Sequence, residues 1–411
     1  MAKGGGMSST GVSILGVYQS DFGRNLRKEN LDTADLVSEV VEGTLANAGI
    51  GPDAIESIHV GNAFGQLYTG QGHLGAMPAT VIPELWGVPA VRHEAACASS
   101  SMAVLAAMAE IEAGRYDCVL VIGVEQEKTM PGDKAAQVQE AAAWVGHDTG
   151  EVEFIWPHTF NEVAGEYDRR YGLDTQYLRG IGEINLKNAQ DNPNAQTRDW
   201  TLTDEHFAAD DDINPVVCGR LRRNDICQIT DGAAGLMLVS DRWIKSHHAA
   251  QARITGWGHS TVGLGLKQKL ERSEHSDYVM PHVRKAITDA FVRAEIGGVE
   301  DLDLIETHDC MTPSEYMAID HFGITPPGQS WQAVDSDDIA RNGRIPVNPS
   351  GGLIGGGHPV GATGARMLAD ATKQVTGNAG DYQVVDARRV ATLNIGGSTT
   401  TTVSFIVEIC N

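Results

Sequence analysis

Two hydrophobic periods alternate along the first third of the chain. Val12–Tyr18 is a short β-rich run, and Thr33–Ala48 follows with apolar residues at helical spacing and Gly49 as a stop. Ser57–Val60 reads as a second strand and Val91–Glu94 as a third. Ala98–Ala113 has helical texture up to Gly114, and Cys118–Gly123 is an unbroken apolar run. Such runs between helices predict strands buried on both faces of a layered α/β sheet.

From Glu125 to about Ile226 the periodicity becomes irregular, with Trp144, Trp156, Trp200 and many Asn and Asp residues. This stretch reads as an insertion of helices and loops over a rigid scaffold, where substrate contacts commonly lie. The strand signal returns at Ala233–Ser240. A second α/β set then begins, with Ile254–His259 a strand, Pro281–Ala294 a helix and Leu302–Thr307 a strand. Pro313–Phe322 is helical, a glycine-rich turn at Ser350–Gly357 precedes a helix from about Gly361 to Thr372, and Val390–Ile395 and Thr401–Val407 close as strands. The two sets share an order, each with a reactive residue at a turn before a helix: Cys97 in the first and His358 in the second. That order points to a duplication, although no sequence repeat accompanies it. The expected division is a flexible leader over 1–10, a first half over 11–124 and 227–250, an inserted loop domain over 125–226 and a second half over 251–411.

At 411 residues the chain exceeds one typical core, and its 42% apolar and 21% charged composition is that of a folded globular protein. The formal charge of −23 excludes a duplex-DNA binder, which needs a basic face, but leaves room for a local phosphate-binding patch. Six cysteines (97, 118, 218, 227, 310 and 410) are scattered without a dense framework, the pattern of free thiols in a reducing compartment. The N-terminus has no apolar signal core, and no run is long enough to span a membrane, so a cytoplasmic location is expected.

Four segments carry candidate chemistry. In His93-Glu94-Ala95-Ala96-Cys97-Ala98-Ser99, a thiol sits at the start of a helix, where orphan N–H groups and the dipole favour the thiolate. A small buried cysteine at a close strand–helix contact is the plainer alternative. Gly355-Gly356-Gly357-His358-Pro359-Val360-Gly361 places one imidazole on a turn whose glycines allow close approach, or else a hydrogen-bonded His in a tight turn. Glu306-Thr307-His308-Asp309-Cys310-Met311 ends an apolar strand, with His308 and Cys310 at alternate positions able to face one site, or a satisfied His beside a buried Cys. Asn394-Ile395-Gly396-Gly397 offers backbone N–H groups of the kind that form an oxyanion hole.

Together these segments resemble the thiolase family, in its sterol-carrier-protein-2-type branch. The likeness covers essentially the whole chain and includes Asp231-Gly232-Ala233-Ala234. It implies an α/β thiolase fold: two duplicated βαβαβαββ halves in five layers, αβαβα, with an inserted loop domain. It implies a CoA-dependent acyltransferase that cleaves 3-ketoacyl-CoA with CoA, or condenses two acetyl-CoA in reverse. By resemblance Cys97 accepts the acyl group, His358 activates it, and His308 donates to the thioester enolate oxygen. The N–H groups of Cys97 and Gly396 hold the tetrahedral oxyanion. A Cys–His pair of this kind is expected to supply thiolate far below the free thiol pKa of about 8.5.

The chain departs from more familiar thiolases, which carry a second cysteine in a C-terminal Cys-x-Gly motif where this one has Asn394-Ile395-Gly396. Cys310 therefore looks like the relocated acid/base cysteine. Met311 stands where the branch often has Phe, which bears on pocket shape. Gly219-Arg220-Leu221-Arg222-Arg223, the densest basic run, offers Arg222 and Arg223 for coenzyme A phosphates, or is a solvated loop paired with nearby Asp residues. Cys218 and Cys227 match no common zinc spacing and read as structural. No metal and no tightly bound cofactor are expected, with CoA and acyl-CoA as substrates. Trp144, Trp156, His158 and Phe160 either line a pocket or pack the insertion's core.

The resemblance also implies a homodimer or tetramer, with a small zinc-ribbon/OB-fold protein as a further partner. Two other functions fit the same resemblance: a retro-aldolase acting on CoA thioesters, which would not require free CoA, and a non-catalytic CoA-binding scaffold.

Overall fold

The computed structural model describes residues 11–148, 152–247 and 250–410, so the leader expected over 1–10 lies outside the described residues. The strands are β1 (Val12–Gln19), β2 (Ser57–Gly61), β3 (Ala90–His93), β4 (Cys118–Glu125), β5 (Val216–Cys218), β6 (Leu221–Arg222), β7 (Gly232–Ser240), β8 (Ala252–Thr261), β9 (Leu304–Thr307), β10 (Arg389–Gly396) and β11 (Thr401–Ile409). The helices that bear on the site are α1 (Thr33–Ala48), α2 (Ser99–Glu112), α3 (Ile155–Tyr171), α4 (Thr175–Ala189), α5 (Leu266–Arg272), α6 (Pro281–Arg293), α7 (Thr312–Phe322) and α8 (Thr363–Val375).

Apart from the β5–β6 hairpin, the strands form one sheet in the order β3-β2-β4-β7-β1-β8-β11-β10-β9. At its centre Val12–Ile14 of β1 pair antiparallel with Ala252–Ile254 of β8. Outward from there the two arms run alike. β1 meets β7 and β7 meets β4 antiparallel, then β2 joins β4 in parallel. In the other arm β8 meets β11 and β11 meets β10 antiparallel, then β9 joins β10 in parallel.

The duplication is therefore written in strand order and direction, with one inequality. β3 extends the first arm in parallel with β2, whereas its counterpart in the second arm is reduced to a single parallel bridge between Ile305 and Val347. Pro346 and Pro349 flank that position, and a proline cannot donate to a ladder, so the strand has no room to grow.

Helices α2 and α8 pack against each other between the two arms, with α8 touching strands of both. α1 covers the outer face of the first arm, and α6 that of the second. This is the five-layer α/β arrangement the sequence implied. β4 and β7 are buried along their whole lengths, as expected of strands covered on both faces. At the centre the backbones approach closely: a Cβ on Gly364 of α8 would stand 2.1 Å from Ser101 Oγ of α2. Only glycine allows that contact, and it sets the spacing at which the turns leading into the two helices meet.

The insertion has no separate core. Phe160, Val163 and Tyr167 of α3 and Leu178 and Ile181 of α4 are buried in one cluster with Tyr316, Met317 and Ile319 of α7. The inserted helices thus form a cover fixed to the second half.

Candidate active site

Cys97 lies two residues before α2, on a turn held by its own short side chains. Ser99 Oγ donates to Ala96 O at 2.6 Å and accepts from Ala95 N at 3.0 Å. Ala96 adopts φ +50°, a left-handed conformation unusual for a residue with a Cβ. The turn presents the Cys97 thiol to a cavity where α2 and α8 begin.

His358 reaches the same cavity from the glycine-rich turn before α8. Its Nδ1 sits 2.7 Å from Thr363 Oγ1, and that hydroxyl donates to Pro359 O. The hydroxyl is therefore an acceptor toward the ring, and the imidazole proton resides on Nδ1. The opposite nitrogen, Nε2, is buried without a hydrogen-bond partner among the described residues. An unpaired buried acceptor of this kind is costly unless a substrate or a thiol proton uses it.

His308, at the end of β9, stands edge-on to His358 with ring centroids 5.2 Å apart. Its tautomer is set from behind: Ser101 Oγ donates to Asn394 Oδ1 at 2.8 Å, and Asn394 Nδ2 donates to His308 Nδ1 at 3.3 Å. The proton then resides on Nε2, making His308 a donor. The Cys97 sulfur and one ring nitrogen from each histidine lie within 4.8 Å of one another. That spacing would suit a soft cation, but a protonated Nε2 on His308 fits an acceptor oxygen better than a metal.

An inner chamber is lined by Phe64, Ala142, Phe160 and Gly397 together with Cys97, His308 and Cys310. It opens through Trp156, Met311, Cys227 and His358 into a larger cavity of about 320 Å³ that also meets Arg223. Of the residues anticipated from sequence, Cys97, His308, Cys310 and His358 come together here. Gly396 brings its turn close, since a Cβ there would stand 2.2 Å from Ala95 O. Its neighbour Gly397 lines the chamber and directs its N–H toward the Cys97 sulfur.

Arg222 and Arg223 part company. Arg222 is occupied by Asp211 and by Asn214 O, whereas Arg223 faces the cavity with no ion pair among the described residues. Phe160 is both core and chamber wall, and Trp156 lines both spaces. Trp144 does neither: it is half-exposed and stacks on His147. His158 lies in a separate groove with Glu162 and Glu166.

Cys227, read from sequence as structural, is a third cavity thiol. Its N–H donates to Cys310 O at 3.0 Å, beside an antiparallel bridge between Ile226 and Met311. That neighbourhood arises from pairing between segments far apart in sequence, which no local pattern announces.

Electrostatics revise one expectation. Burial, reinforced by Glu127, pushes the Cys97 thiol up to about 12, although the N–H groups of Gly397 and Cys97 pull the other way. Burial, with Arg366 adding, pushes His358 down to about 3. Burial and the His358 ring carry His308 well below its usual value, and burial raises the Cys310 thiol. The resting pair is thus neutral thiol and neutral imidazole, not a preformed thiolate. A helix start supplies only local dipoles, and desolvation by the inserted cover outweighs them.

Buried carboxylates hold these loops. Asp309 accepts from Leu353 N at 2.6 Å, Ile354 N at 3.2 Å and Asn185 Nδ2 at 2.9 Å, tying the His308 turn to the glycine loop and to α4. Glu127 accepts from Val360 N at 2.8 Å, and Glu125 from Gly361 N at 3.1 Å, just past His358. Asp231 accepts from the N–H groups of Glu127, Lys128 and Leu26.

The model of the thiolase N-terminal domain matches residues 12–168, and that of the thiolase C-terminal domain-like family matches 266–409. An acetyl-CoA acetyltransferase from Methanothermobacter thermautotrophicus is 28% identical over 94% of this chain and 96% of its own length. Sterol carrier protein 2 of Gallus gallus is 27% identical over 94% of this chain and 69% of its own length. Among solved structures, an Ltp2-ChsH2(DUF35) aldolase superposes with a TM-score of 0.75 at 18% identity, covering 97% of this chain and 98% of that one. With both domain models matched and the five-layer fold in place, the chain belongs to the thiolase family.

Proposed function

We propose that this chain is a CoA-dependent acyltransferase that cleaves 3-ketoacyl-CoA with free CoA, or condenses acyl-CoA units, through an acyl group held on Cys97. The observation that carries this reading is the convergence of the neutral Cys97 thiol, the unpaired His358 Nε2 and the N–H-bearing His308 ring on one cavity. As the Cys97 sulfur bonds to a thioester carbonyl, its proton passes to His358 Nε2. A neutral pair suits this, since charge develops only during attack.

The oxyanion meets the N–H groups of Cys97 and the Gly396-Gly397 turn, and CoA leaves as the tetrahedral adduct collapses, its sulfur taking the proton of the Cys310 thiol. In the condensing direction the Cys310 thiolate left by that transfer removes the α-proton of a second acyl-CoA, and His308 holds the enolate oxygen. The enolate carbon then attacks the Cys97 thioester, releasing the sulfur to take back its proton from His358. Cleavage runs the same steps in reverse.

CoA and acyl-CoA act as substrates in this scheme, with no tightly bound cofactor or metal. Arg223, unpaired at the cavity, takes a CoA phosphate. Arg223→Ala is expected to raise KM for CoA about tenfold with kcat little changed, the loss of one charge-assisted contact. An unchanged KM in steady-state assays would remove Arg223 from the CoA site.

The reading extends to a cytoplasmic homodimer or tetramer built from two halves and the 125–226 insertion. A small zinc-ribbon/OB-fold partner is supported by the neighbour whose name joins Ltp2 to ChsH2(DUF35). No helix among the described residues is long and apolar enough to cross a membrane. The deciding assay is product formation from a 3-ketoacyl-CoA with and without free CoA. Cleavage requires CoA under this proposal, and turnover without it would mean carbon–carbon lyase chemistry instead.

A further inference from the structure

Lys269 is the most unusual charged residue outside the site. It lies on α5 with only 6% of its surface exposed, and no carboxylate is within ion-pair distance among the described residues. Lysine is rarely buried without a counter-ion, because an unpaired ammonium loses its hydration. Here the ammonium is spent on one turn: Nζ donates to Ser398 O at 2.5 Å, Ser398 Oγ at 2.6 Å and Thr400 Oγ1 at 2.8 Å.

That turn joins β10 to β11 and contains Gly397. Ser398 and Thr400 flank Thr399, which sits at φ +62°, as does Gly397. His282 of α6 holds the same turn through Thr399 O at 2.9 Å. Ser398 Oγ also donates to Leu264 O, closing the segment onto the residues just before α5. A left-handed threonine such as Thr399 persists only where the surroundings over-determine it. The Lys269 ammonium supplies three of those constraints. Burial drives its pKa down to about 7 against the pull of Asp148.

We propose that Lys269 is a positioning residue for acyl transfer: by clamping the 396–400 turn it aims the Gly397 N–H at the sulfur and oxyanion of Cys97. The inference rests on the acyl-enzyme reading above. An N–H donor in an oxyanion hole acts only if held within a few tenths of an ångström, and a turn built on a left-handed threonine does not hold itself.

The test is the rate at which acetyl-CoA acetylates Cys97, followed by rapid-quench intact-protein mass spectrometry in the full-length chain. Lys269→Met should slow acetylation and kcat about ten- to a hundredfold while KM stays within about twofold, because the loss falls on the transition state. Lys269→Arg, which keeps a cationic donor, should recover most of the rate; failure of that rescue in a folded protein overturns the proposal. Undiminished acetylation in Lys269→Met, or a fall expressed in KM alone, also overturns it.

If Lys269→Met does not fold, Thr400→Val and Ser398→Ala remove one acceptor each and should lower kcat in steps. Wild-type rates in both would count against the clamp. A wild-type protein that takes up no acetyl group would instead bring down the acyl-enzyme reading itself.

Discussion

Cys97→Ala should lose thiolysis and the covalent acyl intermediate together, with kcat falling about 10⁴-fold or more, because the nucleophile's partners cannot act without it. The mass shift of one acetyl group on wild-type Cys97, absent from the variant, is the direct readout. Near-normal turnover by Cys97→Ala would sink the mechanism.

The same thiol carries a pH prediction. Because burial raises it to about 12, thiolate is scarce at neutral pH and grows tenfold with each pH unit through pH 9. Iodoacetamide labelling of Cys97 in the free protein should therefore keep rising across pH 7–9, instead of levelling off near 6 as a preformed thiolate–imidazolium pair would.

Arg366→Met is expected to lower folding stability by about 3–5 kcal/mol, the usual effect of leaving buried charges without their partner. Arg366 is 2% exposed and donates to Glu306 at 2.9 Å and Asp370 at 3.2 Å, while Ser350 shares the cluster at 3.1 Å. Burial opposes ionisation of both carboxyls; Lys373 and Arg366 nonetheless hold Asp370 below its ordinary range, while Glu306 stands at about 7.

Without the guanidinium Glu306 loses the charge that opposes its burial, while Lys373 remains beside Asp370. The folded-state value of Glu306, already about 7 and above the unfolded one, then rises further, so the variant gains stability relative to wild type as pH falls from 7 toward 5. Urea midpoints measured at both pH values check this. A midpoint equal to wild type at pH 7, or a deficit that widens at pH 5, contradicts it.

Legibility in the sequence varied with how local the cause was. α1 was readable to the residue, because Gly49 stops it in a left-handed cap and its apolar spacing faces one sheet. β4 and β7 stood out as apolar runs because both faces are covered. The missing third strand of the second arm was harder, since the implied duplication concealed what Pro346 and Pro349 forbid. Cys97, His308, Cys310 and His358 each sit at a strand end or a turn before a helix, so sequence located them.

What joins them was not local. Cys227 enters through pairing with Cys310, and the tautomers of His308 and His358 depend on Asn394, Ser101 and Thr363. Arg222 and Arg223 are adjacent in sequence yet face different partners, a distinction set by where Asp211 and Asn214 fall. The thiol's ionisation has the same non-local origin: a helix start is visible in sequence, but a buried carboxyl at Glu127 and a cover of α3 and α4 are not.

The two arms of the sheet have one more consequence. Cys97 and His358 occupy matching places in them, each on the turn before the helix that enters the central layer. Cys97 comes from the first arm and His308, Cys310 and His358 from the second, so the chamber lies at the seam between α2 and α8. Under the acyl-enzyme reading, prying that seam apart separates Cys97 from His358 while exposing the thiol, so acetyl uptake at Cys97, and not its alkylation, becomes a built-in gauge of whether the halves are docked.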